Sequence, residues 1–333
     1  MYKRQRYSYE STWGAVETVG ISQGLSGQLY VLKTYTYYPN LPGPWVESVE
    51  VNVDRDGQEP FDTTLTSYQY SFYDNDSDPN NDSQLKLKTV ILPAVPEAQN
   101  GSGAGGEIKE CYHPETGALL WRQEKTSQGA YSLTVYQYND LGLRVKQVRD
   151  PDSNTWNDMK TAMGLGSEVP NPDGYSTEPV IATTEWSYDE RFFVEEEIGP
   201  SVQVDIATGD TRRLMRKFYR TKLSSGKLVK LSRTYEYSAS STTPLNPISI
   251  TVLDFDRKVS ETALGVPNGV DIEDCIDTTK ADLNDAFNGW LFERRSFVYG
   301  GGRLVEEHLW SDPADPGLAS HYVTKYEYPC VIG

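Results

Sequence analysis

The stretch YQYNDLGLRVKQVRDP, Tyr136 to Pro151, sets the pattern for the whole chain. Two tyrosines stand two apart, a polar pair and a glycine follow, and a mixed basic and apolar run ends at Asp-Pro. Spacing i, i+2 puts both rings on one face of an extended strand, whereas a helix would turn them to different sides. Gly142, after Asn139-Asp140, supplies the positive φ that a tight hairpin needs. The stretch therefore reads as strand, glycine turn, strand.

The doublet recurs at Tyr7/Tyr9, Tyr35/Tyr37, Tyr68/Tyr70, Tyr235/Tyr237 and Tyr326/Tyr328, with Trp186/Tyr188 and Phe297/Tyr299 as aromatic variants. Random placement of the chain's 23 tyrosines would give only about one or two such pairs. Flanking sequence agrees. VEVNVD sets Val49, Val51 and Val53 against Glu50, Asn52 and Asp54. KLVKLSRTYEY puts Val229, Leu231, Tyr235 and Tyr237 on one face, with Arg233 able to stack on a neighbouring ring. Gly117, Gly226 and Gly300-Gly301-Gly302 mark further turns. One such hairpin is marginal in water, but many joined edge to edge are not. The expected fold class is all-β: repeated antiparallel hairpins forming a continuous curved or spiralling sheet, with short helical insertions.

The repeating unit resembles the tyrosine-aspartate (YD) repeat of the Rhs family, whose usual form is Tyr-Asp-x-x-Gly-Arg-Leu. In YNDLGLRV, Tyr138 and Gly142 match, Asn139 stands where Asp is usual, and Leu143 and Arg144 are swapped. In YGGGRLVEEH, Tyr299, Arg303 and Leu304 match with a turn one residue shorter. In YHPETGALLW, Tyr112, Gly117 and Leu119 match with a turn one longer. In YDERFFVEEE, Tyr188 and Asp189 match and the glycine is missing. Tyr136, Tyr138, Gly142, Tyr188, Asp189, Tyr299, Arg303 and Leu304 are thus read as structural motif residues. The resemblance implies a sheet that spirals into a hollow shell. Such a shell is a non-catalytic scaffold that encloses a polymorphic C-terminal effector, or serves in cell contact or ligand binding, outside the cytoplasm. The partners it implies are the rest of the full-length chain or an enclosed effector.

Composition narrows the alternatives. The 333 residues carry 31 basic and 48 acidic side chains, a net charge of −17. Phosphate backbones and anionic membrane surfaces are disfavoured partners for such a chain. No apolar run approaches the length of about 18 residues that a membrane span needs. Cys111, Cys275 and Cys330 are odd in number, far apart and unlike any zinc or disulfide framework. The first five residues, MYKRQ, are what GTG-TAT-AAG-AGA-CAG encodes from a start codon, the end of a transposon adapter used in sequencing libraries. Residues 1–5 are expected to be non-native, on a metagenomic fragment whose natural chain extends upstream. Residues 6–333 are expected to form one array, with insertions near 74–107, 152–180 and 266–290. A helical turn is expected around Asp158 to Met163. A short helix through Asn288 is expected to be capped by Thr278 or Thr279, and the insertions to decorate a surface. Residues 94–107 are expected from their composition to be flexible.

Candidate chemistry is sparse. In YDNDSDPNNDSQ, Asp74, Asp76, Asp78 and Asp82 offer hard oxygen ligands at a spacing that calcium loops use, against the plain alternative of a solvated turn. Pro79 stands where an EF-hand has glycine, and no glutamate closes the loop. His113, His308 and His321 lie at no metal-ligand spacing. No G-x-S-x-G or Cys/His motif occurs, and the Glu195-Glu196-Glu197 run reads as a solvated face. Neither GSGAGG (101–106) nor the glycine triplet precedes the helix a phosphate cradle needs. DPADPGL (312–318) is similar to the signature that closes Rhs cores but lacks its flanks. No enzyme, no cofactor beyond calcium and no nucleic-acid partner is expected. Two rivals stand beside the scaffold. A carbohydrate-binding module would keep its rings exposed in a row. A glycan-cleaving enzyme would need two carboxylates, or a His-Tyr pair, in one cleft.

Overall fold

The computed structural model describes residues 3–23, 29–52, 63–73, 84–94, 103–125, 131–175, 182–203, 211–238, 242–245, 247–310 and 321–327. Among these lie twenty strands and two helices, so the chain is all-β, built of antiparallel hairpins with two short helical insertions. The chain divides into two compact units, Met1–Ala182 and Thr183–Gly333.

The first unit is a meander in which each strand pairs antiparallel with the next. Its strands are β1 (Lys3–Tyr9), β2 (Val16–Gln23), β3 (Leu29–Tyr37), β4 (Val46–Asn52), β5 (Thr63–Phe72), β6 (Leu85–Ile91), β7 (Glu107–Tyr112), β8 (Leu119–Lys125), β9 (Tyr131–Tyr138) and β10 (Arg144–Arg149). Residues 3–5, expected to be non-native, lie in β1 opposite residues 21–23. Helix α1 (Ser153–Ala162) follows β10.

The second unit continues with β11 (Ala182–Tyr188), β12 (Val194–Gln203), β13 (Thr211–Lys222), β14 (Leu228–Tyr237), β15 (Thr242–Pro244), β16 (Ile248–Leu253) and β17 (Val259–Pro267). Then come α2 (Leu283–Ala286), β18 (Gly289–Gly300), β19 (Arg303–Trp310) and β20 (His321–Lys325). Here β14 pairs with both β15 and β16 along one edge, because the chain leaves the ladder between them.

Directly opposed residues of an antiparallel ladder share a face, which lets the two sides of the first sheet be read off the register. One rung runs Leu87, Cys111, Trp121, Val135, Val148 across five strands. All but half-buried Leu87 have at most 1% exposure. The side chains Trp156, Met159 and Val169, from α1 and the segment after it, close over this rung. Polar clasps fix the cover. Trp121 Nε1 donates to the Pro170 carbonyl at 2.9 Å, Trp156 Nε1 to Asn171 Oδ1 at 3.0 Å, and Gln123 Nε2 to the Gly174 carbonyl at 2.8 Å.

The second unit repeats the device. Tyr219, Leu231, Ile250 and Ala263 form a rung, and Ile272, Cys275, Ile276, Leu283, Ala286 and Phe287 from the 266–290 insertion pack on its neighbourhood.

The insertions near 152–180 and 266–290 therefore do not decorate a surface: they supply the second layer without which a sheet face has nothing to bury against. The one near 74–107 contains β6 and otherwise lies largely outside the described residues. The helices of the other two also begin elsewhere than expected. α1 starts five residues before Asp158, because Asp152 Oδ1 accepts the Thr155 N–H at 2.7 Å and serves as N-cap. α2 is capped by Asp282, not by Thr278 or Thr279. Thr279 instead gives its N–H and hydroxyl to Asp277 Oδ1, at 2.9 and 2.7 Å, so it closes a turn of its own.

Candidate functional site: the repeated hairpin corner

The motif residues converge on one structural object, the corner where a doublet strand turns into the next strand. Seven doublets lie wholly in strands, on β1, β3, β5, β9, β11, β14 and β18. The eighth begins at Tyr326, whose N–H bonds the Val305 carbonyl at 2.9 Å, and its Tyr328 lies outside the described residues.

In most cases the second ring ends its strand. Tyr9, Tyr37, Tyr138, Tyr188 and Tyr237 are the last residues of β1, β3, β9, β11 and β14, and Tyr112 is the last of β7. At the hairpins closed by Tyr9, Tyr37, Phe72, Tyr112, Tyr138, Tyr188 and Tyr299 the register slips by one, a β-bulge. Beyond the slip each ring faces one residue: Val16 for Tyr9, Val46 for Tyr37, Leu119 for Tyr112, Arg144 for Tyr138, Val194 for Tyr188 and Leu304 for Tyr299. The leucine of the motif is thus the cross-hairpin partner of its tyrosine. Arg303 opens β19 opposite Gly300.

The residue after the ring explains why the motif wants aspartate. Asp189 Oδ1 accepts the N–H groups of Arg191 and Phe193, both at 2.9 Å, while Phe192 N–H returns to the Asp189 carbonyl at 2.9 Å. Asn139 does the same with Leu141 (3.1 Å) and Leu143 (3.0 Å), and Gly142 N–H bonds the Asn139 carbonyl at 2.9 Å. A short side-chain acceptor satisfies turn donors that the bulge leaves without a ladder partner. Glu10 performs the role with Thr12 (2.7 Å), Trp13 and Ala15 (3.4 Å). Desolvation pulls the Glu10 carboxyl upward, but these donors hold it below its ordinary range.

His113 is a further variant: its Nδ1 accepts from Glu115 (3.1 Å) and Thr116 (3.3 Å). That nitrogen is occupied in building a turn. His308 contacts Glu306 at 3.1 Å on β19, and the side chain of His321 lies outside the described residues.

The corner needs a positive φ, three residues after Asn139 and Asp189 and four after Glu10 and His113, where Gly14 and Gly117 supply it. Gly142 supplies 74°, and where the glycine is missing Phe192 takes 64° in its place. A further corner escapes the sequence pattern: Asp254 Oδ1 accepts the Lys258 N–H at 2.9 Å and Arg257 adopts 60°. It has no tyrosine ahead of it, and an aspartate directly after an apolar strand, five residues before the next, is its one signal.

The phenol hydroxyls tie corners together. Tyr37 donates to the Val16 carbonyl at 2.6 Å, Tyr70 to Val46 at 3.0 Å and Tyr138 to Leu119 at 2.9 Å. In each case the acceptor is the first residue of the strand before, the very residue that faces the preceding corner's ring. Burial, then the neighbouring Tyr68 and Tyr38, pushes Tyr70 up to about 12.

The first rings, Tyr7, Tyr35, Tyr68 and Tyr136, share the sheet face opposite the Cys111–Trp121 rung. Exposure is high at Tyr7 (49%) and Tyr9 (60%), and Tyr235 in the second unit is buried. Ring stacks by cations are common: Arg144 lies 5.8 Å from the Tyr136 ring, Arg233 5.6 Å from Tyr235 and Lys258 5.3 Å from Tyr299.

Asp74, Asp76, Asp78 and Asp82 lie outside the described residues, as do the DPADPGL segment and Cys330. Among the described residues no group of three or more His, Cys, Asp or Glu is placed to hold a metal, and no helix is long and apolar enough to cross a membrane. Among the described residues Cys111 and Cys275 form no disulfide, and burial pushes each thiol up to about 12.

The sequence matches no protein-family model and none of the curated proteins. Among solved structures it is similar to the Tc holotoxin pore of Photorhabdus luminescens, with 12% identity over 98% of this chain and 18% of that one, at a TM-score of 0.33. It is also similar to TcdB2-TccC3 without its hypervariable C-terminal region, with 11% identity over 97% of this chain and 19% of that one, at a TM-score of 0.25. The chain spans less than one fifth of the length of either.

Proposed function

We propose that this chain is a wall segment of an Rhs-like β-repeat shell, a non-catalytic scaffold of a secreted or cell-surface protein that encloses an effector or makes cell contact. The observation that carries the reading is the use to which the motif is put. At the Tyr138 corner the tyrosine hydroxyl, the Asn139 acceptor after it and the positive φ of Gly142 are all consumed in closing one hairpin and fastening it to the one before. A side chain committed to a backbone carbonyl builds wall; it is not a free acid, base or nucleophile. In this reading residues 6–333 are one array, its partners are the rest of its own chain or an enclosed effector, and calcium at Asp74, Asp76, Asp78 and Asp82 is an accessory at most.

The test is to recover the genomic reading frame on both sides, express the whole protein and digest it with protease. A scaffold that encloses cargo predicts a variable segment downstream that resists digestion while the wall is folded and is cut once the wall is melted. A downstream segment cut at the same rate in both states, or a complete catalytic domain requiring this chain's own side chains, would refute it.

A further inference from the structure

In the second unit β12 and β13 part company. Their register runs from Gln203↔Thr211 to Glu196↔Lys217 and stops. β13 continues through Phe218 to Lys222, held on its other side by β14 in unbroken register. That hairpin closes with Leu223 N–H on the Lys227 carbonyl at 3.0 Å. Counting back along the alternation of an antiparallel ladder, the N–H and C=O groups of Lys222, Arg220 and Phe218 turn away from β14; those of Lys222 and Arg220 face the side that β12 has left, beyond its last rung at Glu196↔Lys217.

A cleft of about 710 Å³ lies there, with Glu190, Phe193 and Glu195 on the β11–β12 side and Glu273 and Thr278 on the insertion side. The Arg220 guanidinium sits 4.0 Å from the Phe193 ring and joins the two walls. The cleft is therefore a fork between two strands, floored by the β13 edge at Arg220 and Lys222, whose main-chain donors and acceptors have no ladder partner among the described residues. Natural sheets guard such edges, because they template the pairing of another chain.

We propose that this fork takes an extended peptide strand of a partner protein, added to the β13 edge along Tyr219–Lys222. Main-chain hydrogen bonds supply the affinity of such strand addition, and alternate side chains supply the selectivity. Arg220 and Lys222 stand two apart and so share a face, and neither has an ion pair among the described residues. Cross-strand pairing of opposite charge favours a peptide with carboxylates directly opposite that pair, against the repulsion of Glu190, Glu195 and Glu273 elsewhere on the cleft. β-Branched residues suit the other face, beside Tyr219 and Thr221. The inference does not depend on the shell reading, since it concerns one strand edge.

The probe is the acetylated and amidated peptide TEVEVET, labelled for fluorescence anisotropy and titrated against the full chain. Its counterpart is N-methylated at alternate residues, which keeps every side chain but removes main-chain donors. Saturable binding is expected, weakened about tenfold or more by N-methylation, the loss of one to two hydrogen bonds. Arg220→Pro removes a cleft-facing N–H and spares the β13–β14 ladder, so it should fold and lose the peptide. No saturable binding of TEVEVET, equal binding of the methylated peptide, or undiminished binding by folded Arg220→Pro would each overturn the proposal. So would saturation by cellotriose with no response to either peptide, which would assign the cleft to sugar. The methylation comparison uses the unaltered protein and decides the matter even if Arg220→Pro does not fold.

Discussion

The hydroxyl of Tyr70 donates to the carbonyl of Val46 at 3.0 Å, and Val46 is the residue that faces Tyr37 across the bulge of the preceding hairpin. Tyr37 in turn donates to Val16, which faces Tyr9. Both of these corners are thus pinned by the ring of the next. This is why tyrosine, not phenylalanine, serves at these positions: the ring packs in either case, but only the phenol reaches the carbonyl.

Tyr70→Phe and Tyr138→Phe should each lower stability by about 1 kcal/mol, the usual net worth of a hydrogen bond whose acceptor is left behind. Urea unfolding with an unchanged m-value is the check. The two sites lie in separate corners, so the double variant should lose the sum. Tyr7→Phe, whose exposed hydroxyl reaches only Gln5 Oε1 at 3.1 Å, should change nothing measurable. A loss at Tyr7 equal to that at Tyr70 would refute the pinning role.

The same buried ring sets an alkaline limit. The Tyr70 pKa is raised from 10.0 to about 12, first by burial and then by Tyr68 and Tyr38. A group whose folded pKa lies above its unfolded value contributes stability that is complete below the unfolded pKa and is lost as pH rises through the folded one. The melting temperature should therefore hold to about pH 10 and fall between there and about pH 12. Tyr70→Phe should show a shallower fall over that window in melts followed by circular dichroism. A parallel fall in both proteins would exclude Tyr70 as a contributor.

Phe192 carries a φ of 64° in a corner where its counterpart is Gly142 at 74°. Left-handed backbone costs a side-chain-bearing residue about 1 kcal/mol relative to glycine, and the Phe192 ring is more than half exposed, so little packing is lost with it. Phe192→Gly should stabilise the protein by up to about 1 kcal/mol, whereas Gly142→Ala should destabilise it by a similar amount. Asp189→Ala should cost about 1 kcal/mol through two turn N–H groups left without an acceptor. Thermal melts of the three variants give the order directly.

The strands and their corners were legible because a ring doublet two apart has one physical meaning, and because Asn139, Asp189 and the glycines are turn formers by their own chemistry. What each hydroxyl binds was not legible. The acceptor lies on another hairpin, 19 to 24 residues back, and its position depends on a bulge that no local pattern marks. The corner at Asp254 was hidden for lack of an aromatic ahead of it. The covers were hidden for another reason: Ile272, Cys275, Ile276, Leu283 and Phe287 are spaced irregularly in a polar segment. Periodicity cannot reveal burial where the backbone has no period. The caps misled because Thr279 and Asp282 are both good N-cap residues, and only the fold decides which one leads a helix.

Those covers give the sharpest test of how the sheet is held. Trp156 is fully buried by the α1 segment over the Trp121–Val135 rung, its indole N–H on Asn171. Trp156→Ala removes a large buried side chain and orphans an acceptor, which should cost about 3–5 kcal/mol. Asn171→Ala removes the bond alone and should cost only about 1 kcal/mol. Because the cover lies on one sheet face near β7–β10, hydrogen exchange in Trp156→Ala should accelerate first there, and in residues 153–175, before the corners of the second unit respond. Uniform acceleration along the whole chain would show instead that the cover does not act locally. Unchanged exchange would show that the insertion is the decoration its polar composition suggests.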